Sequence, residues 1–136
     1  MKQLSLTFLL MDAPFENART TTAFRLIQAA LEQGIRVNVF AYEGAVSLAF
    51  AQQRAHPNSI HGRDAGQENH PLPKDWIAQL ADHAHRCGLA FDWVNCGLCV
   101  DERGVLESIA HVRRGSPLDF WKMAQASDNV LVIATK

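Results

Sequence analysis

Apolar runs of strand length alternate with helical segments along this chain, and this alternation constrains the fold more than any other feature. Residues 4–11 (LSLTFLLM) are almost continuously apolar, which is typical of a strand buried on both faces. Residues 35–46, 89–95 and 129–135 form three further runs of strand character, the last predicted as another buried strand. Strands that alternate with helices predict a parallel sheet that is covered on both faces.

Helical periodicity fills the segments between these strands. Residues 16–34 place apolar side chains at helical spacing before Gly34, which is expected to end the helix. These side chains are Ala23, Phe24, Ile27, Ala30 and Leu31. Residues 74–88 predict a second amphipathic helix, with Trp76, Ile77, Leu80, Ala81 and Ala84 on one face. Residues 104–115 predict a further short helix, and Ser116 followed by Pro117 predicts the start of the last one.

The predicted fold is α/β: a flavodoxin-like three-layer α/β/α arrangement with a mostly parallel sheet, in one domain over residues 1–136. The simplest strand order is 2-1-3-4. Ligands bind such sheets beyond the carboxyl ends of the strands, where the strand order reverses. Residues 11–20 and 95–104 are therefore expected to meet at the functional site. Residues 51–75 are polar and predict a long loop that is functional or mobile.

Composition excludes several classes of function. Hydrophobic residues make up 48% and charged residues 20% of the 136 residues, which is typical of a globular chain. The formal net charge of −1 provides no basic field for a nucleic acid. No run approaches the roughly 20 apolar residues of a membrane span. Three cysteines, an odd number, fit a reducing compartment, so we expect a cytoplasmic protein.

Two cysteines follow the third predicted strand. Cys96 and Cys99 are spaced C-x-x-C within residues 91–104 (FDWVNCGLCVDERG). Free cysteines are often small, buried and inert, and we prefer that interpretation for Cys87 at the end of a helix. A loop at a strand end is a poor place to bury a thiol, so we expect Cys96 to be exposed. For Cys99 the two interpretations are balanced.

A redox pair and a zinc site are alternatives for these two thiols. A thioredoxin-like pair needs its attacking thiol at a helix N-terminus, and Asp101 and Glu102 would oppose ionisation of the thiols. Tetrahedral zinc usually needs two paired clusters of ligands, and the sequence has a single C-x-x-C. Histidines of the polar loop would have to complete the site: His56, His61 and His70. We expect neither a metal nor a cofactor.

A fourth interpretation is a nucleophilic cysteine that accepts sulfur as a persulfide and passes it on. This chemistry requires an accessible thiolate that two partners reach in turn, and Cys96 fits that requirement. We expect its activation to come from the backbone N–H groups of residues 97–99 and from Arg103. Gly97 would let the backbone approach closely. A Cys96 side chain sealed in the interior, or bound to a metal, would overturn this interpretation and leave only the predicted architecture.

Four segments share features with one known family. They are residues 6–34 (LTFLLMDAPFENARTTTAFRLIQAALEQG), 34–40 (GIRVNVF), 42–46 (YEGAV) and 123–133 (MAQASDNVLVI). In these segments the chain resembles the DsrE/TusD-like sulfur-relay proteins, or DsrE/DsrF-like family. That family places its reactive cysteine after the third strand and ahead of an Arg-Gly-Val. Here Cys96 precedes Arg103, Gly104 and Val105 at a similar distance.

The resemblance implies a cytoplasmic sulfurtransferase that carries sulfur as a persulfide on Cys96, without a cofactor. Its partners would be sulfur-donor and sulfur-acceptor proteins, and it would work as a homo-oligomer without direct contact to nucleic acid or membrane. Cys99 is the second catalytic candidate, and Gly97 and Arg103 are the substrate-binding candidates. Two alternatives stay open: a non-catalytic module that binds a small ligand or a protein in the same cleft, and a C-x-x-C dithiol oxidoreductase.

Overall fold

Five parallel strands form one sheet in the computed structural model, which describes residues 2–56, 71–105 and 107–135. In chain order they are β1 (Ser5–Leu10), β2 (Arg36–Ala41), β3 (Phe91–Cys96), β4 (Val112–Gly115) and β5 (Asn129–Ile133). Every neighbouring pair is parallel, which confirms the predicted α/β class. The order across the sheet is β4-β3-β2-β1-β5. The predicted order 2-1-3-4 is wrong because β2 lies between β1 and β3.

Helices cover both faces of this sheet, as predicted. They are α1 (Arg19–Glu32), a 3₁₀ helix (Glu43–Ala49), α2 (Pro73–Arg86), α3 (Gly97–Arg103) and α4 (Pro117–Ala126). The larger core lies on one face and contains the buried side chains of α1 and α2. The smaller core lies on the other face, where Met123 and Phe120 of α4 pack with Phe40 and Val94 of the sheet.

The predicted faces of the first two long helices account for most of the larger core. All five apolar positions predicted for α1 are buried. In α2, Ile77, Leu80 and Ala84 are buried, while Trp76 and Ala81 are half-buried. Trp93 of β3 is 1% exposed and packs in the same core, between the sheet and these two helices. Full burial of side chains of this size stabilises the fold by about 1.5–3 kcal/mol each.

Residues 104–115 do not form the helix that their periodicity predicts. Helix α3 lies before them and ends at Gly104, which has φ = 65° and is the left-handed residue that closes a helix. The chain then extends into β4, where Val112 pairs with Trp93 and Gly115 with Cys96. The pairing of β4 with β3 overrides local helical periodicity.

Smaller differences occur at three other places. Residues 42–46 are predicted as the end of a strand, but residues 43–46 form the start of the 3₁₀ helix and Tyr42 is its N-cap residue. α2 begins at Pro73, inside the predicted loop of residues 51–75, and residues 57–70 of that loop lie outside the described residues. β5 lies at the edge of the sheet, and its Val132 is 55% exposed, so the prediction of a fully buried strand is wrong.

The carboxyl ends of all five strands meet at one edge of the sheet, and this edge positions the two cysteines. The strand order reverses between β1 and β5, so the predicted reversal between the first and third strands is wrong. The segment that contacts α3 is therefore the 3₁₀ helix after β2. Ala13, within residues 11–20, lies against Gly44 of this 3₁₀ helix, 3.0 Å from a Cβ atom built there, and the predicted meeting of residues 11–20 with residues 95–104 stays a prediction.

Candidate functional site

The C-x-x-C segment joins β3 directly to α3. Cys96 is the last residue of β3 and the N-cap residue of α3, with extended backbone angles. Gly97 is the first residue of α3, and Cys99 lies in the same first turn. Residues three apart in a helical turn lie on the same side, so the two cysteine side chains lie close together.

Both thiols are buried. Cys96 is 2% and Cys99 is 4% exposed, and they pack with Phe40, Val100 and Met123 in the smaller core. The expectation that Cys96 is an exposed residue on a loop is therefore wrong. Side chains alternate between the two faces of a strand, and that of Cys96 lies on the face covered by α4. The cover of this face by α4 was not predicted from the sequence.

Cys87 differs from its prediction in the opposite sense. It is the C-cap residue of α2 and is exposed, rather than buried. Its Sγ lies 3.8 Å from Nε2 of His83, one turn earlier on the same helix. Because it is a free thiol remote from the C-x-x-C in sequence, Cys87 provides a natural control for experiments on the other two cysteines.

Cys99 holds its proton more firmly than an ordinary thiol. Burial, and then a hydrogen bond with the Cys96 side chain, raise the pKa of Cys99 from 9.0 to about 11. The backbone N–H of Glu43 donates a hydrogen bond of 3.2 Å to Cys99 Sγ and opposes this shift in pKa. At neutral pH the Cys99 side chain is therefore a thiol.

The raised pKa of Cys99 predicts a steep pH dependence of its alkylation. Below a pKa of about 11 the thiolate fraction rises about tenfold per pH unit. In the folded protein, iodoacetamide should modify Cys99 about tenfold faster for each unit between about pH 8 and pH 10. Peptide mass spectrometry measures this rate, with the urea-unfolded protein as control. A profile of the folded protein that flattens near pH 9 would contradict the burial of this thiol.

Arg114 of β4 is the charged residue that lies beside the C-x-x-C, and sequence analysis missed it. A Cβ atom added at Gly97 would lie 2.6 Å from Nε and 2.9 Å from Cζ of Arg114. A side chain at position 97 would thus occupy the space of this guanidinium. The pKa of Arg114 is raised, chiefly by its hydrogen bond to Asp101 and also by the charge of Cys96. The guanidinium is therefore close enough to attract an anionic sulfur on Cys96.

Asp101 holds this guanidinium in place. Its two carboxylate oxygens accept hydrogen bonds of 2.8 Å and 2.6 Å from Nη1 and Nη2 of Arg114. Bidentate pairs of this kind fix orientation as well as charge. The same hydrogen bonds lower the pKa of Asp101. The negative charge that was expected to oppose thiol ionisation is thus compensated by Arg114.

Arg103 occupies a different position from Arg114. Its Nη2 donates a 2.7 Å hydrogen bond to Oε2 of Glu43, and its Nη1 lies 3.7 Å from Oε2 of Glu102. Arg103 is therefore linked to the thiols through Glu43, whose backbone N–H contacts Cys99. A direct role of Arg103 in binding substrate stays a prediction.

Glu43 and Tyr42 form the part of the site contributed by the segment after β2. Glu43 has φ = 53°, a left-handed conformation that is uncommon for a residue with a side chain. The ring of Tyr42 stacks near that of Phe40, with centroids 6.4 Å apart. The charge of Glu43, followed by that of Cys99, raises the pKa of Tyr42. Because Arg103 compensates the charge of Glu43 on this side, Arg114 supplies a guanidinium from the β4 side of the thiols.

The histidines considered as zinc ligands do not come together with these thiols among the described residues. Within residues 2–56, 71–105 and 107–135, no group of three or more His, Cys, Asp or Glu side chains is arranged to hold a metal ion. His56 lies against Phe15, with ring centroids 4.9 Å apart. His61 and His70 lie outside the described residues. No helix in the described part of the chain is long and apolar enough to cross a membrane.

Comparison with known proteins identifies a family and solved structures of the same fold. A model of the DsrE/DsrF-like family matches residues 5–133, so the match runs from β1 to β5 and includes both cysteines. The crystal structure of the ychN protein from E. coli aligns with a TM-score of 0.69 and 19% identity. The alignment covers 96% of this chain and 99% of that chain. At this identity the similarity shows the fold alone. No curated protein matches the chain.

Proposed function

We propose that this chain, which belongs to the DsrE/DsrF-like family, carries a sulfur atom as a persulfide on Cys96 and passes it to a partner protein. The family is associated with sulfur relay in general, and the persulfide on this residue is our assignment. The observation that carries the proposal is the placement of Cys96. It ends β3 at the carboxyl edge of the sheet, in contact with Cys99 and beside the Arg114 guanidinium.

The proposed exchange needs neither an external oxidant nor a metal. The Cys96 thiolate attacks the terminal sulfur of a donor persulfide, and a new sulfur–sulfur bond forms at Cys96 Sγ. The sulfur–sulfur bond of the donor breaks, and the donor leaves as a thiolate. An acceptor thiolate then attacks the outer sulfur in the same way and restores the Cys96 thiolate. Exchange of this kind proceeds through the thiolate as nucleophile.

Arg114 is the residue that we assign to the charge of the carried sulfur. A persulfide is more acidic than a thiol and is anionic at neutral pH. The guanidinium lies against Gly97, the residue that directly follows Cys96. Its fork of N–H donors suits an anionic sulfur, while Asp101 keeps it oriented. We propose that Gly97 contributes to substrate binding by leaving room for this guanidinium.

Cys96 is 2% exposed and sealed from a partner in this conformation, so the proposal depends on a local opening of the small core in which α3 and α4 cover it. Helix α3 has seven residues and packs mainly against β3 and the 3₁₀ helix. Its outer residues Leu98, Asp101 and Glu102 are exposed. Short elements with few buried contacts open at a smaller free-energy cost than the core of the same protein. Opening of this turn would expose Cys96 while the sheet stays intact.

We propose protein partners for both steps, because the carrier has to be charged and discharged by different thiols. The exposed Leu98 lies between the two cysteines and would contact such a partner. We also expect a homo-oligomer and a reducing compartment, such as the cytoplasm, in which Cys96 and Cys99 remain thiols.

Cyanide trapping tests the proposed function. The purified protein is reduced, incubated briefly with glutathione persulfide, and separated from the donor by gel filtration. Cyanide removes a persulfide sulfur as thiocyanate, which is measured by its coloured iron complex. We expect about one thiocyanate per chain when loading is complete, since one thiol carries the sulfur. The control is a protein without cysteine that is treated with the same donor. If the loaded chain yields no more thiocyanate than this control, the proposal is contradicted.

A dithiol oxidoreductase is a second candidate, favoured by one observation. Cys96 precedes the first turn of α3 and Cys99 lies within that turn, so the two thiols are hydrogen-bonded to each other at a helix N-terminus. The sequence predicts a loop for both cysteines and not their position at the start of α3. Catalysed reduction of insulin disulfides in the presence of a dithiol would support this candidate. A rate equal to that of the uncatalysed reaction would contradict it.

A further inference from the structure

Cys99 has no task in the uptake of sulfur by Cys96, yet its position and partners are well defined. It lies in the first turn of α3, and its side chain is hydrogen-bonded to that of Cys96. The backbone N–H of Glu43 holds its sulfur from the other side at 3.2 Å. Both sulfur atoms are shielded from solvent. A sulfur atom on Cys96 would therefore have a second thiol as its neighbour before any partner arrives.

We propose that Cys99 discharges the carrier when no acceptor is present, by displacing the carried sulfur from Cys96 and forming a Cys96–Cys99 disulfide. This inference rests on the proposed persulfide on Cys96. It gives the site a further activity, release of the carried sulfur as hydrosulfide. The chemical class of substrate for this step is the persulfide of the chain itself.

The step balances without a further reactant. The Cys99 sulfur attacks Cys96 Sγ, a bond forms between the two cysteine sulfurs, and the bond to the outer sulfur breaks. The outer sulfur takes the electron pair of that bond, and the proton of the Cys99 thiol goes with it. The Cys99 sulfur is oxidised from the thiol to the disulfide level, Cys96 Sγ keeps its oxidation level, and the carried sulfur is reduced to the level of sulfide. A dithiol reductant is then needed to restore the two thiols.

The geometry of the first turn permits the disulfide. Residues three apart in a helix have Cα atoms about 5 Å apart, from the rise and radius of the helix. This separation lies within the range of about 4.4–6.8 Å that disulfides require. The attacking atom also lies on the same side of the turn as its target, because Cys96 is the N-cap residue, Cys99 follows in the first turn, and both side chains pack in the smaller core. Little movement of the backbone is therefore required.

The surroundings of Cys99 slow this attack and so leave time for an acceptor. Cys96 on β3, Glu43 on the 3₁₀ helix and Tyr42 before it face the Cys99 thiol, and Arg114 faces Cys96 from β4. Burial raises the pKa of Cys99 to about 11, so the thiolate form is rare at neutral pH. A slow internal release would act only on a carrier that has not met its acceptor.

Sulfide release from loaded protein tests the inference. Wild type, Cys99→Ser and Cys99→Ala are loaded with glutathione persulfide, freed of donor by gel filtration, and incubated without acceptor. Monobromobimane measures sulfide, and intact mass follows the protein. We expect wild type to release its sulfur and lose two hydrogens. The two variants should keep the sulfur, with release at least about tenfold slower. Cys87→Ser should behave as wild type.

The outcomes separate this inference from the proposed function. If Cys99→Ser and Cys99→Ala gain sulfur but release it at the wild-type rate, the discharge by Cys99 is wrong while the persulfide on Cys96 stands. If wild type keeps its sulfur as long as the variants do, the inference is likewise overturned. If neither wild type nor the variants ever gain sulfur, the proposed function fails and this inference fails with it.

Discussion

Replacing Cys96 with serine is expected to abolish sulfur loading completely. Serine has nearly the same size as cysteine, so the side chain still fits the small core between β3 and α4. The pKa of a serine hydroxyl lies far above neutral pH, and a hydroxyl forms no persulfide. Thiocyanate formation and the mass of one added sulfur atom should both disappear in Cys96→Ser.

Cys87→Ser is the matched control for this loss. Cys87 is an exposed free thiol at the end of α2, so it is the residue that a non-selective donor would reach first. We expect Cys87→Ser to load as much sulfur as wild type. The pair of variants thus separates reaction at a particular site from reaction at the most accessible thiol. Loading that persists in Cys96→Ser and disappears in Cys87→Ser would reverse the assignment.

Gly97→Ala is expected to slow sulfur loading without unfolding the protein. The added methyl group would meet the guanidinium of Arg114 at 2.6–3.0 Å, and a flexible side chain can move away at little cost to stability. The displaced guanidinium would no longer lie beside Cys96. We expect the loading rate to fall by about two- to fivefold, because the guanidinium of Arg114 is exposed and solvent screens its attraction for an anionic sulfur. To measure this rate, the loading reaction is stopped at timed intervals and the fraction of protein with one added sulfur atom is determined by intact mass.

A double-mutant cycle tests the physical cause of that effect. Arg114→Gln removes the charge directly and should slow loading by a similar factor. In the Arg114→Gln background, Gly97→Ala should have little further effect, since the guanidinium that it displaces is already absent. Independent, multiplicative effects of the two substitutions would show that Gly97 acts in another way. Thermal unfolding of each variant checks that the fold is retained.

The sequence predicts the parts of the fold that depend on local pattern. The apolar run of β1 and the spacing of Phe24, Ile27 and Leu31 in α1 define a buried strand and a helix face with no knowledge of their neighbours. Ser116 and Pro117 mark the start of α4 in the same way. The backbone N–H of Ser116 donates a 2.9 Å hydrogen bond to Oδ2 of Asp119. Such features are encoded within a few residues of the chain.

The strand β4 could not be predicted from local pattern. It has four residues, two of them arginines, and lies at the edge of the sheet. Its extended form depends on hydrogen bonds to β3, which lies about 16 or more residues earlier in the sequence. The role of Arg114 depends on the same pairing, because only β4 brings it beside Gly97. A pair of arginines directly before a Gly-Ser-Pro helix start was the signal available in the sequence.

The burial of Cys96 also depends on contacts between distant segments. The sequence places Cys96 correctly at the end of β3, where a functional residue is expected in a parallel sheet. Whether that residue is exposed is decided by α4, whose Phe120 and Met123 lie in the same core. The predicted strand order did not show that α4 packs over Cys96. The consequence is that sulfur exchange must be coupled to a local opening of the small core between β3, α3 and α4.

The central claim is that the carried sulfur resides on Cys96. Tandem mass spectrometry of wild-type protein, loaded with glutathione persulfide and alkylated at once, tests it most directly. After a brief loading at neutral pH, we expect the fragment ions to place the added sulfur on Cys96. Cys87 and Cys99 should carry the alkyl group without an added sulfur atom. Sulfur found only on Cys87, or on no cysteine of the folded protein, would contradict the assignment.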